Sequence, residues 1–524
     1  MSRPLLEGLG LTFFWGCLIA LHRRESGIHG RPGPVWADAF LLATGLPLFS
    51  ALSALTGRPV WAAGLLLGPA LLLYYFNRIK ITVLHEPLVF ADIQMARQLF
   101  FFPSFYWPYI PLGPLLAGSA ALLIAGLTFR RFVEVTALSG PARLFCGLAA
   151  ILAALAWSWF VSRAGERTPL TGSLVFEPTR DGRRYGLIGA AVLGGIWQNR
   201  FGLAEIGAAV RPAPDGLAEV CAWPRHLRRP LERGQPHVIV VQAESFFHLR
   251  RLWPDLGPAW TANFDRLSAE GRPGRLGVTA YGAYTVRTEF AVLTGLAGPD
   301  LRSFQFNPYA LAAKTAVGGL PRWLTGQGYE AVCIHPGAPA FLRRDRALPN
   351  LGFHRFLARD EFKGARRFGP YIADAAIAER LKPELPAGGG PKFIFIITLE
   401  AHGPWPSGRL AGQPDLKDIE DSFGRPGGLD EGMLAYARHL RNADSFLGEL
   451  AGLDLDRPLL LGWYGDHVGS LPRGLKLDDE QSAATDFLIW HSSGSLAVAG
   501  PVAATPLPPE HFGTLLLTAL HEYL

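Results

Sequence analysis

Cysteine is scarce in this chain of 524 residues, which contains only Cys17, Cys146, Cys221 and Cys333. Two of these residues lie in apolar stretches that predict membrane helices. Cys333 lies in an apolar run typical of a buried strand, where a free thiol is expected. The sequence therefore excludes a fold that depends on a framework of disulfides.

A basic stripe with interleaved aromatic residues, which marks many nucleic-acid-binding surfaces, is also missing. The formal net charge is +6, but the arginines are spread over loops, and Arg225, Arg228 and Arg229 come just before the more polar half of the chain. Such charges indicate a solvated surface or one that faces lipid headgroups. We expect no nucleic-acid partner.

Apolar residues are concentrated in the first third of the chain. Residues 1–161 contain few acidic groups, whereas residues from about 230 onward have the mixed composition of a soluble domain. Five stretches approach the length of about 20 apolar residues that crosses a bilayer, namely 5–21, 36–55, 60–76, 104–127 and 142–161. We predict a polytopic α-helical membrane domain of about five helices over residues 1–165. Its first helix lacks a small-residue cleavage site and is retained.

Two further segments of the first half are too polar or too short to span a membrane. Residues 80–93 contain Glu86, Pro87 and Asp92, and they either lie at the interface, fold back into the helix bundle, or form an ordinary loop. The apolar run 185–198 predicts an interfacial helix within a juxtamembrane linker over residues 166–232.

The remaining residues, 233–524, alternate short apolar runs with helical stretches. The runs predict buried strands at 237–243, 275–280, 331–335, 392–399, 458–464 and 486–490. The stretches between them predict helices near 287–297, 316–327, 371–382, 430–453 and 508–522. This alternation predicts an α/β domain, with a mostly parallel sheet covered by helices on both faces.

Polar side chains capable of chemistry follow several of these strands. They are Glu244, His335, Glu400, His402, and the adjacent pair Asp466 and His467. The carboxyl ends of parallel strands meet at one edge of a sheet, where ligands bind. A carboxylate from one strand end and an Asp–His pair from another can hold a divalent ion. The alternatives are that Glu244 caps the following helix and that Asp466 and His467 are turn residues.

Three sequence segments, Val240–Ser245 (VVQAES), Thr261–Gly271 (TANFDRLSAEG) and Tyr464–His467 (YGDH), resemble the sulfatase-like branch of the alkaline phosphatase superfamily. More narrowly, the chain is similar to the lipoteichoic acid synthase and phosphoglycerol transferase family. In that family a threonine is followed four residues later by Glu-Phe, and Thr285–Phe290 (TVRTEF) reproduces this spacing. The resemblance implies an alkaline-phosphatase-type fold for residues 233–524.

The same resemblance implies roles for individual residues. Thr285 would be the nucleophile, with Thr288 as the competing hydroxyl. One divalent ion, manganese with magnesium or zinc as alternatives, would be bound by Thr285 together with Glu244, Asp466 and His467. Arg344 and His402 would contact the phosphorylated substrate, although Leu342 occupies the position of a tryptophan that grips the headgroup in the family.

The activity implied by the resemblance is transfer of a phosphoglycerol-type headgroup at a membrane. A phospholipid would donate the group to Thr285, and an envelope glycan or polymer would accept it. The protein would lie in the bacterial cytoplasmic membrane as a multi-pass protein, with its catalytic domain on the outer side.

Five other functions are alternatives to this one. Phosphoethanolamine transfer and phosphodiester hydrolysis use the same superfamily fold and remain open. A non-catalytic protein that binds an envelope polymer would be expected to lack part of the set Glu244, Thr285, Asp466 and His467, which is intact here. Sulfatase activity would require a Cys-x-Pro-x-Arg-type motif, and Cys333–Gly337 does not match it. Transport is disfavoured because the predicted spans carry no buried ionisable residues.

Overall fold

The computed structural model describes most of the chain as two compact units, Met1–Ala204 and Glu205–Leu524. The described residues are 3–27, 35–132, 137–163, 174–219, 221–231, 234–254, 256–278, 281–410, 430–470, 483–494, 496 and 505–524.

The first unit is helical. Its longest helices are Arg3–Glu25, Val35–Thr56, Pro59–Leu84, Leu112–Phe132, Gly140–Arg163 and Pro178–Trp197. Among the described residues three helices are long and apolar enough to cross a membrane, at Val35–Thr56, Pro59–Leu84 and Gly140–Trp157. A fourth span is added if the bent pair Pro103–Tyr109 and Leu112–Ile124 crosses as one. Three or four of the five predicted spans are thus supported, and the first remains a prediction, within the helix Arg3–Glu25.

The polar segment after the second of these spans is folded back onto that span. Lys80 Nζ donates hydrogen bonds to Asp92 Oδ2 at 2.6 Å and to the carbonyl oxygen of Pro87 at 2.9 Å. Asn77 Oδ1 accepts from the backbone N–H of Leu88 at 2.9 Å. A short helix, Phe90–Met95, follows. Of the three alternatives for residues 80–93, the structure therefore favours the segment that folds back into the bundle.

One expectation about the first half needs correction, and the domain boundaries stay a prediction. The helix Pro59–Leu84 extends past the predicted span 60–76 and so includes Lys80, which is buried, so this candidate span does carry a buried ionisable group. The helix Pro178–Trp197 belongs to the first unit and packs on Val35–Thr56, where the ring of Phe40 contacts Gly189. The compact units divide after Ala204, inside the predicted linker of residues 166–232.

The second unit is built on a mixed seven-stranded sheet. Seven strands of the described residues form this sheet, and two more, β5 and β6, form a separate hairpin. In chain order the strands are β1 His237–Ala243, β2 Arg272–Gly277, β3 Glu330–Ile334, β4 Arg355–Leu357, β5 Arg367–Phe368, β6 Tyr371–Ile372, β7 Lys392–Ile397, β8 Leu459–Gly465 and β9 Ala484–His491. The strand order in the sheet is β2-β9-β8-β1-β7-β3-β4. The five strands from β8 to β4 are parallel, whereas β9 and β2 are antiparallel to their neighbours.

Helices cover both faces of this sheet. On one face Ile239 and Val241 of β1 lie in a core with the helices Ala262–Glu270, Asp374–Leu381 and Glu431–Ala451. On the other face Gly462 of β8 lies against the helix Phe512–Tyr523. The longest of these helices, Glu431–Ala451, is capped by the preceding residue, Asp430. The Asp430 side chain accepts a hydrogen bond from the N–H of Gly432 at 2.7 Å. The α/β fold with a mostly parallel sheet is confirmed, apart from the antiparallel edge.

Candidate metal centre

Glu244, Asp466 and His467 meet at the carboxyl ends of two neighbouring strands. In the parallel register Ala243 of β1 pairs with Gly465 of β8. Glu244, which follows β1, therefore lies beside Asp466, which follows β8. A Cβ atom on Gly465 would lie 1.9 Å from the carbonyl oxygen of Phe246. Only glycine permits this approach of the two chain segments. All three side chains are buried, and one ligand atom from each lies within 4.8 Å of the others.

The hydrogen bonds of Asp466 leave one of its oxygens for a cation. Oδ1 accepts from the backbone N–H of Ser245 at 2.8 Å and from that of His467 at 2.9 Å. Oδ2 is buried and has no hydrogen-bond partner among the described residues, and it lies 3.4 Å from His467 Nε2. A buried carboxylate oxygen without a donor is costly, and a metal ion would satisfy it.

The imidazole of His467 is held in the tautomer that binds metals. Nδ1 lies 3.2 Å from the carbonyl oxygen of Val468, which can only accept, so Nδ1 carries the proton. The lone pair of Nε2 therefore faces Glu244 Oε1 at 3.6 Å and Asp466 Oδ2. Two carboxylates and one neutral imidazole suit manganese or zinc.

The charge balance of the centre also fits a cation. Burial raises the pKa of Glu244 well above its ordinary value, and the neighbouring charge of Asp466 raises it further. Ser245 opposes this shift because its hydroxyl donates to Glu244 Oε1 at 2.9 Å. A cation between the two carboxyl groups would offset their repulsion and favour the ionised form of both.

Thr285 is the first residue of the helix Thr285–Thr294 and is partly exposed. The backbone immediately before it is strained, because Tyr284 has φ 67°. Ser245, next to Glu244, has φ 54° and is strained in the same way. The start of a helix carries partial positive charge, which stabilises an alkoxide or a phosphoryl oxygen there.

Thr288, the competing hydroxyl, has a structural contact instead. Its Oγ1 donates to the backbone carbonyl oxygen of Asp466 at 2.8 Å, and the residue is buried. This bond ties the Thr285 helix to the end of β8. The geometry therefore favours Thr285 over Thr288 as the reactive residue.

Arg344 lies in the interior and is paired with a carboxylate. Its Nη2 donates to Glu289 Oε2 at 2.8 Å, and both side chains are almost completely buried. Gln242 Nε2 donates to the same oxygen at 3.1 Å, and Tyr309 donates to Glu289 Oε1. The predicted contact of Arg344 with substrate stays a prediction, and this ion pair accounts for the residue without one.

Three other members of this network were not identified from the sequence, namely Gln242, Tyr309 and Tyr464. Tyr464 donates to Gln242 Oε1 at 2.7 Å. A glutamine inside the otherwise apolar strand β1 is a signal that could have been used, because a buried amide needs partners. Tyr309 gave no comparable signal. His335 joins the network weakly, with Nε2 3.5 Å from Arg344 Nη1, and its Nδ1 donates to the carbonyl oxygen of Ile397 at 3.0 Å.

His402 follows strand β7 in the chain, and its side chain is partly buried. Burial lowers the pKa of His402 to about 4, so the side chain is neutral at pH 7. Nδ1 donates to the carbonyl oxygen of Gly403 at 2.7 Å. The ring of Tyr371 packs edge-on to it with centroids 5.6 Å apart.

Glu400, from the same strand end, belongs to a different cluster. It accepts from the backbone N–H of Asp374 at 2.8 Å, from Asn442 at 2.7 Å and from His439 at 3.1 Å. These contacts anchor the helices Asp374–Leu381 and Glu431–Ala451. Among the described residues, the group of Glu244, Asp466 and His467 is the one arranged to hold a metal.

Two curated proteins of Rhizobium meliloti (strain 1021) are similar to most of this chain. The capsular polysaccharide biosynthesis protein RkpI is 29% identical over 443 residues, which cover 80% of this chain and 76% of that protein. A protein provisionally named for cyclic β-1,2-glucan modification is 24% identical over 435 residues, covering 80% of this chain and 65% of that protein.

Two of the solved structures that are similar to part of this chain are the following. The Streptococcus pyogenes phosphoglycerol transferase GacH, in complex with sn-glycerol-1-phosphate, is 21% identical with a TM-score of 0.43, covering 55% of this chain and 76% of that chain. The lipoteichoic acid synthase LtaP from Listeria monocytogenes is 20% identical with a TM-score of 0.39, covering 55% of this chain and 69% of that chain.

A family model described as Sulfatase matches residues 236–520, more than half of the chain. The matched region contains the whole seven-stranded sheet and all three residues of the candidate metal centre. The chain therefore belongs to the sulfatase family, within the sulfatase-like branch of the alkaline phosphatase superfamily that its motifs predicted.

Proposed function

We propose that this protein transfers a phosphoglycerol-type headgroup from a membrane phospholipid to an envelope glycan, through a covalent intermediate on Thr285. The observation that carries the proposal is the convergence of Glu244, Asp466 and His467 in one buried group. Thr288, one turn after Thr285, is hydrogen-bonded to the carbonyl oxygen of Asp466, which brings the start of the Thr285 helix to that group.

Glu244 Oε1, Asp466 Oδ2 and His467 Nε2 would hold one divalent ion, with Thr285 Oγ1 as a further ligand. The ion would supply positive charge that lowers the pKa of the threonine hydroxyl and offsets charge on the phosphoryl oxygens. Manganese is our proposed ion, and the same oxygen and nitrogen ligands also accept zinc or magnesium.

Side chains and backbone groups of the protein would carry out the steps of the transfer. Thr285 Oγ1 would lose its proton and attack phosphorus as the bond to the lipid oxygen breaks, and the departing diacylglycerol oxygen would take up a proton. The N-terminal N–H groups of the Thr285 helix would stabilise the phosphoryl oxygens. In the second step a glycan hydroxyl would lose its proton and attack phosphorus, the bond to Thr285 Oγ1 would break, and Oγ1 would take up a proton. We assign the contacts with the phosphorylated substrate to Arg344 and His402, and the ion pair with Glu289 would hold the Arg344 guanidinium in position.

The membrane unit would hold the enzyme at the bilayer that contains the donor lipid. A lipid headgroup is available only at the bilayer surface, and an anchored enzyme meets it at a high effective concentration. We propose a multi-pass protein of the bacterial cytoplasmic membrane with its catalytic unit on the outer side. The names of the two Rhizobium relatives, which refer to a capsular polysaccharide and a cyclic glucan, support a glycan as acceptor.

Phosphoethanolamine transfer is the second candidate, because Leu342 lacks the aromatic ring that would contact glycerol in the resembling family. Intact-mass analysis distinguishes the two. The full-length protein in detergent micelles with Mn²⁺ is incubated separately with phosphatidylglycerol and with phosphatidylethanolamine. A phosphoglycerol-sized adduct that maps to Thr285 supports the proposal, whereas a phosphoethanolamine-sized adduct favours the second candidate.

Two variants serve as controls for this experiment. Thr285→Ala should abolish the adduct, and Thr288→Val should keep it, because the Thr288 hydroxyl is used by the carbonyl oxygen of Asp466. A folded, manganese-loaded protein that forms neither adduct and releases no diacylglycerol would refute the covalent mechanism.

A further inference from the structure

The segment of residues 400–405, which includes His402, lies against a chain segment of the candidate metal centre. The indole ring of Trp405 contacts Gly469, where a Cβ atom would lie 2.4 Å from Trp405 Cη2. Gly469 comes two residues after His467, and only a glycine permits the ring to approach this closely. The segment that carries His402 is therefore packed on the segment that carries a proposed metal ligand.

Tyr436 connects the same segment to the end of β1. Its ring packs on that of Trp405, with centroids 4.3 Å apart. Its hydroxyl donates to the carbonyl oxygen of Ser245, the residue after Glu244. Contacts of Trp405 thus relate the 400–405 segment to both strand ends that meet at the candidate metal centre.

Arg409 binds the backbone on both sides of His402. Its Nη2 donates to the carbonyl oxygen of Glu400 at 3.2 Å, and its Nη1 donates to that of Pro404. Its Cζ lies 5.6 Å from the centroid of the Tyr371 ring. The same ring packs edge-on to the imidazole of His402. One guanidinium therefore contacts the two carbonyl groups that flank His402 and the ring that packs against it.

A further donor of the guanidinium is bound by His439. Arg409 Nε donates to His439 Nε2 at 3.1 Å. Because an arginine can only donate, Nε2 accepts, and the proton of this imidazole lies on Nδ1. Nδ1 donates in turn to Glu400 Oε1 at 3.1 Å. Glu400 is thus held through its backbone by Arg409 and through its side chain by His439, which fixes the start of the segment.

These contacts require the shape of a guanidinium. Its N–H donors lie in one plane at fixed angles, so that one group can bind two carbonyl oxygens and an imidazole in different directions. Its planar face can also pack on an aromatic ring. The ammonium group of a lysine has the charge but neither the plane nor the fixed fork of donors. Replacing Arg409 by lysine therefore separates the geometry of these contacts from their charge.

We propose that Arg409 is a positioning residue that sets the orientation of His402 toward the phosphorylated substrate, an inference that rests on the proposed contact of His402 with that substrate. By holding the backbone on both sides of His402, Arg409 would keep the imidazole in place before the substrate binds. A group that is already in position loses less freedom in the transition state, and a small misplacement lowers the rate.

The first measurement reports on His402 without any turnover. The full-length protein in detergent micelles is labelled with [¹³C]histidine, and the His402 signal among 14 histidines is identified by its loss in His402→Asn. Between pH 7 and pH 5 the wild-type signal should remain that of a neutral imidazole, because burial lowers its pKa to about 4. In Arg409→Lys the imidazole should gain access to water, and its signal should move toward the protonated form as its pKa approaches 6.5.

The second measurement is the release of diacylglycerol from dihexanoyl phosphatidylglycerol with Mn²⁺. Arg409→Lys should lower kcat by roughly 10- to 100-fold with little change in KM, because the misplaced imidazole is needed mainly in the transition state. Arg409→Ala should show a similar loss. Guanidinium ions, added to Arg409→Ala at concentrations that do not unfold the protein, should restore part of the activity.

Arg457→Ala is the matched control. Arg457 donates to the carbonyl oxygen of Gly389 at 3.0 Å and to that of Gln235 at 3.2 Å. It therefore also connects two backbone segments, but these precede β7 and β1, at the opposite ends of the strands. Its replacement should leave both the His402 signal and the rate of diacylglycerol release unchanged.

Three results would overturn the proposal: an unchanged His402 signal in both Arg409 variants, a changed signal with unchanged kcat, or equal losses of activity in Arg409→Ala and Arg457→Ala. The last would show that Arg409 has a general structural role. If the wild type releases no diacylglycerol while the His402 signal responds to Arg409→Lys and not to Arg457→Ala, the transfer chemistry is refuted and the positioning of His402 by Arg409 is supported.

Discussion

At the scale of single residues, Asp466 joins three parts of the second unit. Its backbone carbonyl accepts from Thr288, its Oδ1 accepts from the N–H groups of Ser245 and His467, and its Oδ2 is left for a cation. The sequence identified Asp466 as a ligand from its position after a strand. It could not identify the bond to Thr288, because that contact joins residues 178 apart in the chain.

Replacing Asp466 by asparagine should remove the metal and leave the fold. The amide keeps an oxygen for the N–H groups of Ser245 and His467 but lacks the charge that balances a divalent ion. We expect manganese affinity to fall by about 100-fold or more, measured by isothermal titration calorimetry on the full-length protein. Asp454→Asn, an exposed aspartate, is the control. Unchanged affinity in Asp466→Asn would contradict the assigned ligand set.

His335 predicts a loss of stability in acid. Burial is the largest cause that lowers its pKa from 6.5 to about 3, and Arg344 adds to it. Between these two values the unfolded chain binds a proton that the folded chain does not, so the free energy of unfolding falls as the pH falls. This residue alone should contribute about 2 kcal/mol of loss between pH 6.5 and 5.

The variant His335→Asn tests this contribution, because its amide can still donate to the carbonyl oxygen of Ile397. Denaturant titrations at pH 7 and pH 5 should show a smaller loss of stability in the variant than in the wild type. His226→Asn, at an exposed position, provides the comparison. Equal losses in His335→Asn and the wild type would show that His335 does not control the acid response.

At the scale of elements, apolar runs located the strands well and their direction poorly. All six predicted strands are present within a few residues, because a buried strand needs a continuous apolar run. Strand β9 runs opposite to the other six strands of the sheet, because it pairs antiparallel with both β8 and β2, and a run of apolar residues does not encode such pairing. The helix Arg344–Leu351 was missed because it contains Pro349, which argues against a helix, and because its buried Arg344 depends on Glu289.

The fold-back after the helix Pro59–Leu84 predicts a large effect from Lys80→Met. The substitution removes the positive charge that pairs with Asp92, although Asp92 Oδ2 still accepts from the backbone N–H of Val89, and it removes a donor from the carbonyl oxygen of Pro87, in a mostly buried location. Breaking a buried pair in this way costs about 3–5 kcal/mol, and we expect a clear loss of stability in SDS-induced unfolding. Arg78→Met, at an exposed position of the same helix, should change it little. The double variant Lys80→Met/Asp92→Leu should recover part of the loss, and strict additivity would contradict a direct pair.

At the scale of the whole molecule, composition alone separated a helical half from an α/β half. The two compact units divide after Ala204, within the predicted linker of residues 166–232, and the helix Pro178–Trp197 packs within the first unit. Its packing depends on contacts with a distant segment, Val35–Thr56, which local composition does not reveal. The presence of the two halves was thus predictable, and the predicted domain boundaries stay a prediction.

The proposed role of the membrane unit predicts a difference between the full chain and the fragment Glu205–Leu524. On phosphatidylglycerol vesicles the full chain, reconstituted in the same bilayer, should release diacylglycerol at least about 100-fold faster than the free fragment. On water-soluble dihexanoyl phosphatidylglycerol the two rates should converge, because tethering no longer concentrates the substrate. If the fragment were as fast as the full chain on vesicles, the membrane unit would not act by concentrating the enzyme at its substrate.

The hydrogen bonds around Asp466 have a consequence for how the protein acquires its ion. The strand register, the close approach at Gly465 and the Thr288 bond hold the ligands together through contacts of the chain itself. The proposed ion would then bind to a site that is already folded, and binding would require no refolding. The ion that occupies it would be selected by the relative supply of manganese, zinc and magnesium around the folded protein, so that growth in media of different metal content should change the occupant without changing the amount of protein.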